Sequence, residues 1–300
     1  MGDNTIKFKV NLVISIIICI FVVQFYELKV KHTKKTKTMK MNNSFESLLN
    51  EEPSVARKRI VVLTGAGVSA ESGVATFRDE GGLWQQYDWQ RMASIEGWEE
   101  EPAKVLEFYN MRRRDLMEVQ PNKAHLLLAE LEKYYDVTII TQNIDNLHER
   151  AGSTDVLHLH GEITKVTSSV DRDDPDCIKE LPLEVPLRMG DKAADGSQLR
   201  PYVVWFGESV PMFEVAIPIV READILIVIG TSLTVYPAAS LVRFAPPAAE
   251  KYIINPGLAY DPYDTHLSDN FEHIREKATV GMAMLVERLK EGKSLLSTKK

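Results

Sequence analysis

The chain has 300 residues, 44% hydrophobic and 26% charged, proportions that suit a globular protein of one large domain with room for a smaller insertion. Its net charge of −7 is unevenly spread: residues 1–41 hold eight Lys against two acidic residues, leaving −13 for the rest (28 basic against 41 acidic). Such an acidic body excludes phosphate-backbone binding, which needs clustered Lys and Arg, so nucleic acid is not an expected partner. Two distant cysteines, Cys19 and Cys177, are too few for a disulfide framework or a four-cysteine zinc site, and they suit a reducing, cytoplasmic location.

Residues 10–26 (VNLVISIIICIFVVQFY) are almost wholly apolar, with Lys7 and Lys9 before them and six Lys between Lys29 and Lys40 after them. A spanning helix needs about 20 apolar residues, so the run is marginal. Three readings stand. One is a short anchor that would tether a cytoplasmic body to a membrane, as the flanking lysines require. A secretory signal is disfavoured, because no small-x-small cleavage site follows. The third, preferred here, is a start upstream of the true first residue, which would be Met39 or Met41. Residues 31–53 read as a linker, and ordered structure is expected from Arg57.

Four short apolar runs then end in small or hydrogen-bonding residues: 60–63 into Thr64-Gly65, 137–140 into Thr141-Gln142-Asn143, 225–229 into Gly230-Thr231-Ser232, and 252–254 into Asn255. β-branched runs without polar alternation predict strands buried on both faces of a parallel sheet. Helical patterns separate them, such as 123–134 (KAHLLLAELEKY), which Asn122 would cap. Ligands of such sheets bind beyond the carboxyl ends of the strands, so the four ends predict one shared site. Residues 84–119 read as helical and 163–201 as irregular; together they predict a smaller domain beside the sheet.

Gly65-Ala66-Gly67-Val68-Ser69-Ala70 matches G-x-G-x-x-G/A directly after a predicted strand. Glycines there allow a tight turn and close backbone approach to a pyrophosphate. No acidic residue at the end of a second strand follows about 20 residues on, which disfavours hydride transfer. The continuation through Glu71, Thr76, Phe77, Arg78 and Trp84 makes the resemblance specific: GAGVSAESGVATFRDEGGLW (65–84) resembles the cofactor loop of the sirtuin family. Further segments are similar in family order: TQNIDNLHERAG (141–152), HLHGE (158–162), VVWFGE (203–208), GTSLTVYPAASL (230–241) and the Asn255 strand end.

That resemblance implies an NAD-consuming protein-lysine deacylase. The family transfers an acyl group from lysine to ADP-ribose and releases nicotinamide, with a base activating a ribose hydroxyl. His160, in the His-Gly pair, would be that base, and imidazole titrates near working pH. His158, two residues away and so on the same face of a strand, is its competitor. His125 and His148, in helical patterns, read as structural. Asn143 and Asp145 would grip nicotinamide and its ribose, although Asn and Asp also favour turns unaided. Gln142 would contact ribose. Gly230, Thr231, Ser232 and Asn255 would hold the adenosine half, with Ala278 a late backbone contact to adenine. Gly65, Ala66, Gly67, Ser69, Ala70, Glu71, Thr76, Phe77, Arg78 and Trp84 would complete the cofactor site, Arg78 steering the ribose or phosphates. Val204, Phe206, Gly207 and Glu208 resemble the strand that pairs with an acyl-lysine protein substrate, by β-augmentation.

Tyr109 and Arg112 are three apart in a helical stretch and so share a face. A phenol beside a guanidinium can hold a carboxylate, and sirtuins that remove succinyl and malonyl groups carry this Y-x-x-R pair. The plainer alternative is a packing Tyr beside a surface Arg. The family's two zinc-binding cysteine pairs are missing; after Lys165 stand Val166-Thr167-Ser168-Ser169, and Cys177 alone cannot hold the metal, so no zinc is expected. The fold class expected is α/β: a Rossmann-like parallel sheet with helices on both faces, plus a smaller inserted domain made of a helical part and a zinc-less module. Residues 1–56 form an N-terminal segment and 57–295 the catalytic domain. Its Rossmann-like part covers about 57–84, 136–162 and 202–295, and its smaller part 85–135 and 163–201. Two rival readings use the same pocket. NAD hydrolysis or ADP-ribosyl transfer is disfavoured by the intact substrate strand, and a non-catalytic NAD sensor by retention of His160, Asn143 and Asp145.

Overall fold

Unbroken β-branched runs have no polar face to offer water, so a sheet built from them is covered on both sides. The computed structural model describes residues 57–76, 87–257 and 270–297; the apolar run at 10–26 and its linker lie outside the described residues. Nine strands are described: β1 (Arg59–Thr64), β2 (Asp136–Thr141), β3 (Val156–His158), β4 (Gly161–Ser168), β5 (Lys179–Glu180), β6 (Leu199–Val203), β7 (Ile225–Ile229), β8 (Glu250–Ile254) and β9 (Glu272–Ile274). Six form a parallel sheet in the order β3-β2-β1-β7-β8-β9, and β5-β4-β6 form an antiparallel one. The four runs expected as strands are the four central strands. Sequence reading missed β9, an edge strand of three residues, and it carried the strand at His158 on to His160, where β3 spans Val156–His158.

The helices are α1 (Gly67–Ala70), α2 (Trp89–Met92), α3 (Ile95–Glu100), α4 (Pro102–Glu118), α5 (Lys123–Leu131), α6 (Leu147–Arg150), α7 (Met212–Arg221) and α8 (Ala278–Ser297), with a 3-10 helix at Ala238–Phe244. Strand residues alternate between two cores. Ile60, Val62, Ile139 and Ile227 pack against Ala124, Leu128 and Leu131 of α5 and Met282 and Leu285 of α8. Val61, Leu63, Leu226 and Val228 pack against Ala216 and Val220 of α7 and Leu241 and Val242 of the 3-10 helix. Among the described residues no helix is long and apolar enough to cross a membrane.

Helix α5 starts where Asn122 predicted: the Asn122 side chain accepts from Ala124 N at 2.9 Å, and its backbone N–H donates to His125 Nδ1 at 3.3 Å, closing a capping box. It ends at Leu131, three residues early. Its apolar face lies on the parallel sheet, so it flanks that sheet rather than belonging to the smaller part, where the 85–135 expectation had placed it.

The stretch expected to be irregular, 163–201, is bounded by β4 and β6, paired antiparallel with a register shift between Glu162 and Val166. The strands escaped notice because they bury polar side chains: Thr167 and Ser168 are fully buried and Arg200 is 1% exposed. Arg113 of α4 fastens this module from outside. Its guanidinium donates to the carbonyls of Ile163, Leu181 (3.0 Å), Pro182 (2.6 Å) and Val185 (3.4 Å).

Candidate active site

In the sheet order, β1 lies between β2 and β7, so the chain runs outward from it in both directions, a switch point where the strand-end loops part. Here the loops are zipped to each other: Gly65 N donates to Ile229 O at 3.1 Å and Gly67 N to Gly230 O at 2.8 Å. That contact explains two glycines. A Cβ on Gly67 would sit 2.8 Å from Gly230 Cα; one on Gly230, at φ +65°, would sit 2.2 Å from Val68 N. Above this seam opens a cavity of about 320 Å³, the size of a small-ligand site.

The cavity wall collects most of the expected cofactor residues: Gly65, Ala66, Gly67 and Thr76 from the glycine loop, Gln142 and Asn143 after β2, Gly230, Thr231 and Ser232 after β7, and Asn255 after β8. Gln142 Nε2 donates to Thr231 Oγ1 at 3.3 Å, tying two strand ends together. Phe77, Arg78 and Trp84 lie outside the described residues.

Five expected residues stand elsewhere. Ser69 and Asp145 form the layer beneath: Asn143 Nδ2 donates to Ser69 Oγ at 3.2 Å, and Ser69 Oγ donates to Asp145 Oδ2 at 3.1 Å. Asp145 Oδ1 also accepts from Leu147 N at 3.1 Å. Burial raises the Asp145 pKa, partly offset by those hydrogen bonds and by the charges of His158 and Arg112. Their contribution runs through Asn143, whose amide also donates to Gly65 O at 3.3 Å. The Glu71 carboxylate is engaged by Thr279 N and Oγ1, both at 2.9 Å, at the start of α8. Ala278, expected as a backbone contact, is 4% exposed, with its side chain in the apolar core and off the cavity wall. Ala70 is exposed and also off the wall.

The two rival histidines separate on hydrogen bonding. A carbonyl only accepts, so a ring nitrogen facing one must carry a proton. His160 Nδ1 faces Gln142 O at 3.0 Å, which leaves Nε2 as the acceptor on a ring that lines the cavity. Burial lowers the His160 pKa, with the Gln142 carbonyl opposing, so the ring is neutral and basic at neutral pH. His158 uses both nitrogens as donors, Nδ1 to Asn143 O at 2.9 Å and Nε2 to Glu149 Oε1 at 2.8 Å. Burial pulls its pKa down, but the Glu149 hydrogen bond and charge more than offset this and raise it. An imidazolium with both protons engaged has no lone pair to offer. The shared strand face expected for the pair is corrected: His158 ends β3, and His160 lies in the turn before β4.

His125 and His148 are fully buried, with ring centroids 4.8 Å apart. Burial pushes His125 down to about 4, and His148 also well down with help from its histidine neighbours. His125 Nδ1 accepts from Asn122 N, so its Nε2–H faces Ser69 Oγ at 3.4 Å. His148 Nε2 meets Thr64 Oγ1 at 3.2 Å. Both brace the floor from below.

The opposite wall comes from the smaller part. Tyr109 and Arg112 of α4 line the cavity together, 3% and 9% exposed. Burial raises Tyr109 to about 12, keeping its phenol protonated. Burial also lowers the Arg112 pKa against the pull of Tyr109, Asp145 and Asp115. Val204, Phe206, Gly207 and Glu208 line the same wall, though not as an open strand edge. β6 stops at Val203, Phe206 N donates to Ala93 O at 2.9 Å, and Phe206 O accepts from Ile95 N at 3.3 Å. The Glu208 carboxylate is taken by Arg200 (2.7 and 3.0 Å), Arg172 (3.2 Å) and Trp205 N (2.7 Å), so it organises the wall rather than reaching out from it. Sequence reasoning missed Phe108 and Trp205 on this wall.

Where the family resemblance implies a cysteine-bound zinc, the residues present do not fit one. Ser168 Oγ hydrogen-bonds Asp195 Oδ2 at 2.5 Å and Ser197 Oγ at 2.9 Å and accepts from Val170 N and Asp171 N, while Cys177 Sγ faces Asp174 at 3.3 Å. Among the described residues no group of three His, Cys, Asp or Glu could hold a metal.

A Rossmann-like sheet with a cavity at its switch point, entered by a neutral histidine, defines a nucleotide-binding enzyme class. Residues 65–237 match the Sir2 family, and the chain belongs to it. It is 56% identical over 235 residues to an NAD-dependent protein deacylase of Bacteroides thetaiotaomicron, covering 78% of this chain and 97% of that protein. An NAD-dependent protein deacylase of Helicobacter pylori is 53% identical over 234 residues, covering 78% of this chain and 98% of the relative. Among solved structures, a Sir2 homologue mutant in complex with ADP-ribose superposes with a TM-score of 0.70 at 39% identity, over 80% of this chain and 94% of that one.

Proposed function

We propose that this chain is an NAD-dependent protein-lysine deacylase that prefers acyl groups ending in a carboxylate. The observation that carries the reading is that His160 and the Tyr109–Arg112 pair line one cavity, at whose floor lie the glycine loop and strand ends of a Sir2 protein. NAD, when bound, supplies an electrophilic sugar carbon and the nicotinamide leaving group. Gly65, Ala66 and Gly67 hold its diphosphate through the backbone; Gln142, Thr231, Ser232 and Asn255 hold its sugars and adenine. Asn143, braced by Ser69 and Asp145, orients the nicotinamide end. His160 Nε2 takes a proton from a ribose hydroxyl, and the Gln142 carbonyl fixes the tautomer that allows it. The substrate lysine enters along the wall at 203–208. Its acyl end meets Arg112, a guanidinium held in a low-dielectric wall, where a carboxylate gains far more than a methyl group does. Residues 161–203 fold without structural zinc.

Mass spectrometry of succinyl-lysine and acetyl-lysine peptides incubated with NAD tests this. Succinyl should be removed faster than acetyl, with or without a zinc chelator, and His160→Ala should abolish both. Faster acetyl removal would overturn the carboxylate preference and leave the deacylase. NAD consumption without any peptide turnover would overturn the deacylase itself.

A further inference from the structure

The hydroxyl of Tyr109 has a direction. Trp205 Nε1–H donates to Tyr109 Oη at 2.9 Å, both side chains being nearly fully buried (2% and 3% exposed). An indole nitrogen can only donate, whereas a phenol both donates and accepts, so the roles in this bond cannot be exchanged. Among the described residues it is the hydrogen bond that Tyr109 Oη makes, and the phenolic proton must point away from it.

We propose that Trp205 is a specificity-determining positioning residue: by occupying an acceptor site of Tyr109 Oη it turns the phenolic O–H into the cavity, so that Tyr109 and Arg112 together present only donors to the acyl terminus. A carboxylate accepts from both. Were the phenol free to rotate, the arriving carboxylate would have to order it; with the O–H already aimed, that cost is removed before binding. The inference rests on the carboxylate reading above and assigns a further residue to it.

Trp205 is held from every side. Its backbone N–H donates to Glu208 at 2.7 Å, and its ring lies 5.3 Å from Trp98 and 6.2 Å from Tyr109 between centroids. The Arg200 guanidinium carbon lies 3.3 Å from the indole centroid, a cation over the π face that draws electron density from the ring and strengthens its N–H as a donor. Arg200 is in turn fixed by both Glu208 oxygens and by Val203 O at 2.7 Å. The chain of contacts Arg200–Trp205–Tyr109, with Arg200 fixed by Glu208, thus begins in the inserted module and ends at the acyl pocket.

The test is a double-substitution cycle read as the ratio of kcat/KM for succinyl over acetyl peptides. Replacing Trp205 with β-(3-benzothienyl)alanine keeps the shape and removes only the N–H; Trp205→Phe is the second variant. The ratio should fall about five- to tenfold, through KM for the succinyl peptide, and neither replacement should change it once Tyr109→Phe is present. An equal fall in both backgrounds, or no fall, would overturn the role of Trp205 while Arg112→Met still collapses the ratio. If Arg112→Met and Tyr109→Phe leave the ratio untouched, the carboxylate reading fails and takes this inference with it.

Discussion

Beneath the cavity the parallel sheet buries Ile60, Val62, Ile139 and Ile227 in one apolar core and Val61, Leu63, Leu226 and Val228 in another. The antiparallel sheet beside it buries Thr167, Ser168 and Arg200, and takes in Arg113 from α4. Apolar burial is non-directional, so the first sheet needs only residues of suitable size and branching. Polar burial is directional: each hydroxyl and guanidinium must find its partners or destabilise the fold. The module therefore adds a few fixed hydrogen-bond hubs to an apolar cluster that includes Ile163, Val166, Leu187 and Leu199. The cavity is shared between the two kinds of wall. Its cofactor floor rests on the apolar sheet, and its acyl end rests on the hubs.

The largest expected effect falls on the seam of the parallel sheet, not on its core. Gly230→Ala would place a Cβ 2.2 Å from Val68 N at a φ of +65°. Backbone must move at both zipped loops, and we expect about 3 kcal/mol of lost stability in denaturant unfolding, with NAD affinity falling too. A loss under about 0.5 kcal/mol, within the ordinary range of surface substitutions, would show that the two loops are slack and that the seam does not set the cavity floor.

Arg113→Met probes the other region. It removes a buried cation from four backbone carbonyls that span 163–185, and we expect about 2 kcal/mol of destabilisation confined to the module. Hydrogen exchange should accelerate in β4 and in 178–185 while β1 and β7 keep their protection. Equal acceleration in all of them would mean one cooperative unit and would break the comparison between the regions.

The same division decides what was legible in the sequence. The four central strands, the Asn122 cap and the glycine loop each follow from a local pattern, and so they were readable. β9 carries three residues, and nothing local distinguishes it from loop; β3, equally short, was noticed only through the His158–His160 spacing and with the wrong end. β4 and β6 were hidden because inward Thr167, Ser168 and Arg200 break the apolar alternation by which strands are recognised. In the site, His160 was found through its motif, but only its hydrogen-bond partners in the fold, Gln142 against Asn143 and Glu149, separate it from His158. Trp205 and Arg113 were missed for the same reason: their partners lie 96 residues away at Tyr109 and 50 at Ile163, and no local spacing encodes them.

The smallest effect concerns a charge pair at the edge of the parallel sheet, where polar bonding supports the apolar region. The His158–Glu149 contact holds Asn143 O through His158 Nδ1. His158 has a raised pKa in the fold, so its contribution is fully present below the ordinary value of 6.5 and is lost as pH rises through the folded value. Burial pushes Glu149 up, but its hydrogen bond to His158 and that charge bring it net down. Its share is therefore present above the ordinary 4.5 and lost as pH falls through the folded value. The pair stabilises most between about 4.5 and 6.5 and fades toward alkaline pH. Glu149→Gln should flatten that decline, so the stabilities of the parent and the variant should converge as pH rises from 6 to 9 in urea unfolding. Parallel profiles would mean that His158 is neutral in the fold. Nε2 would then be able to accept, and the argument that leaves His160 as the base would lose its electrostatic half.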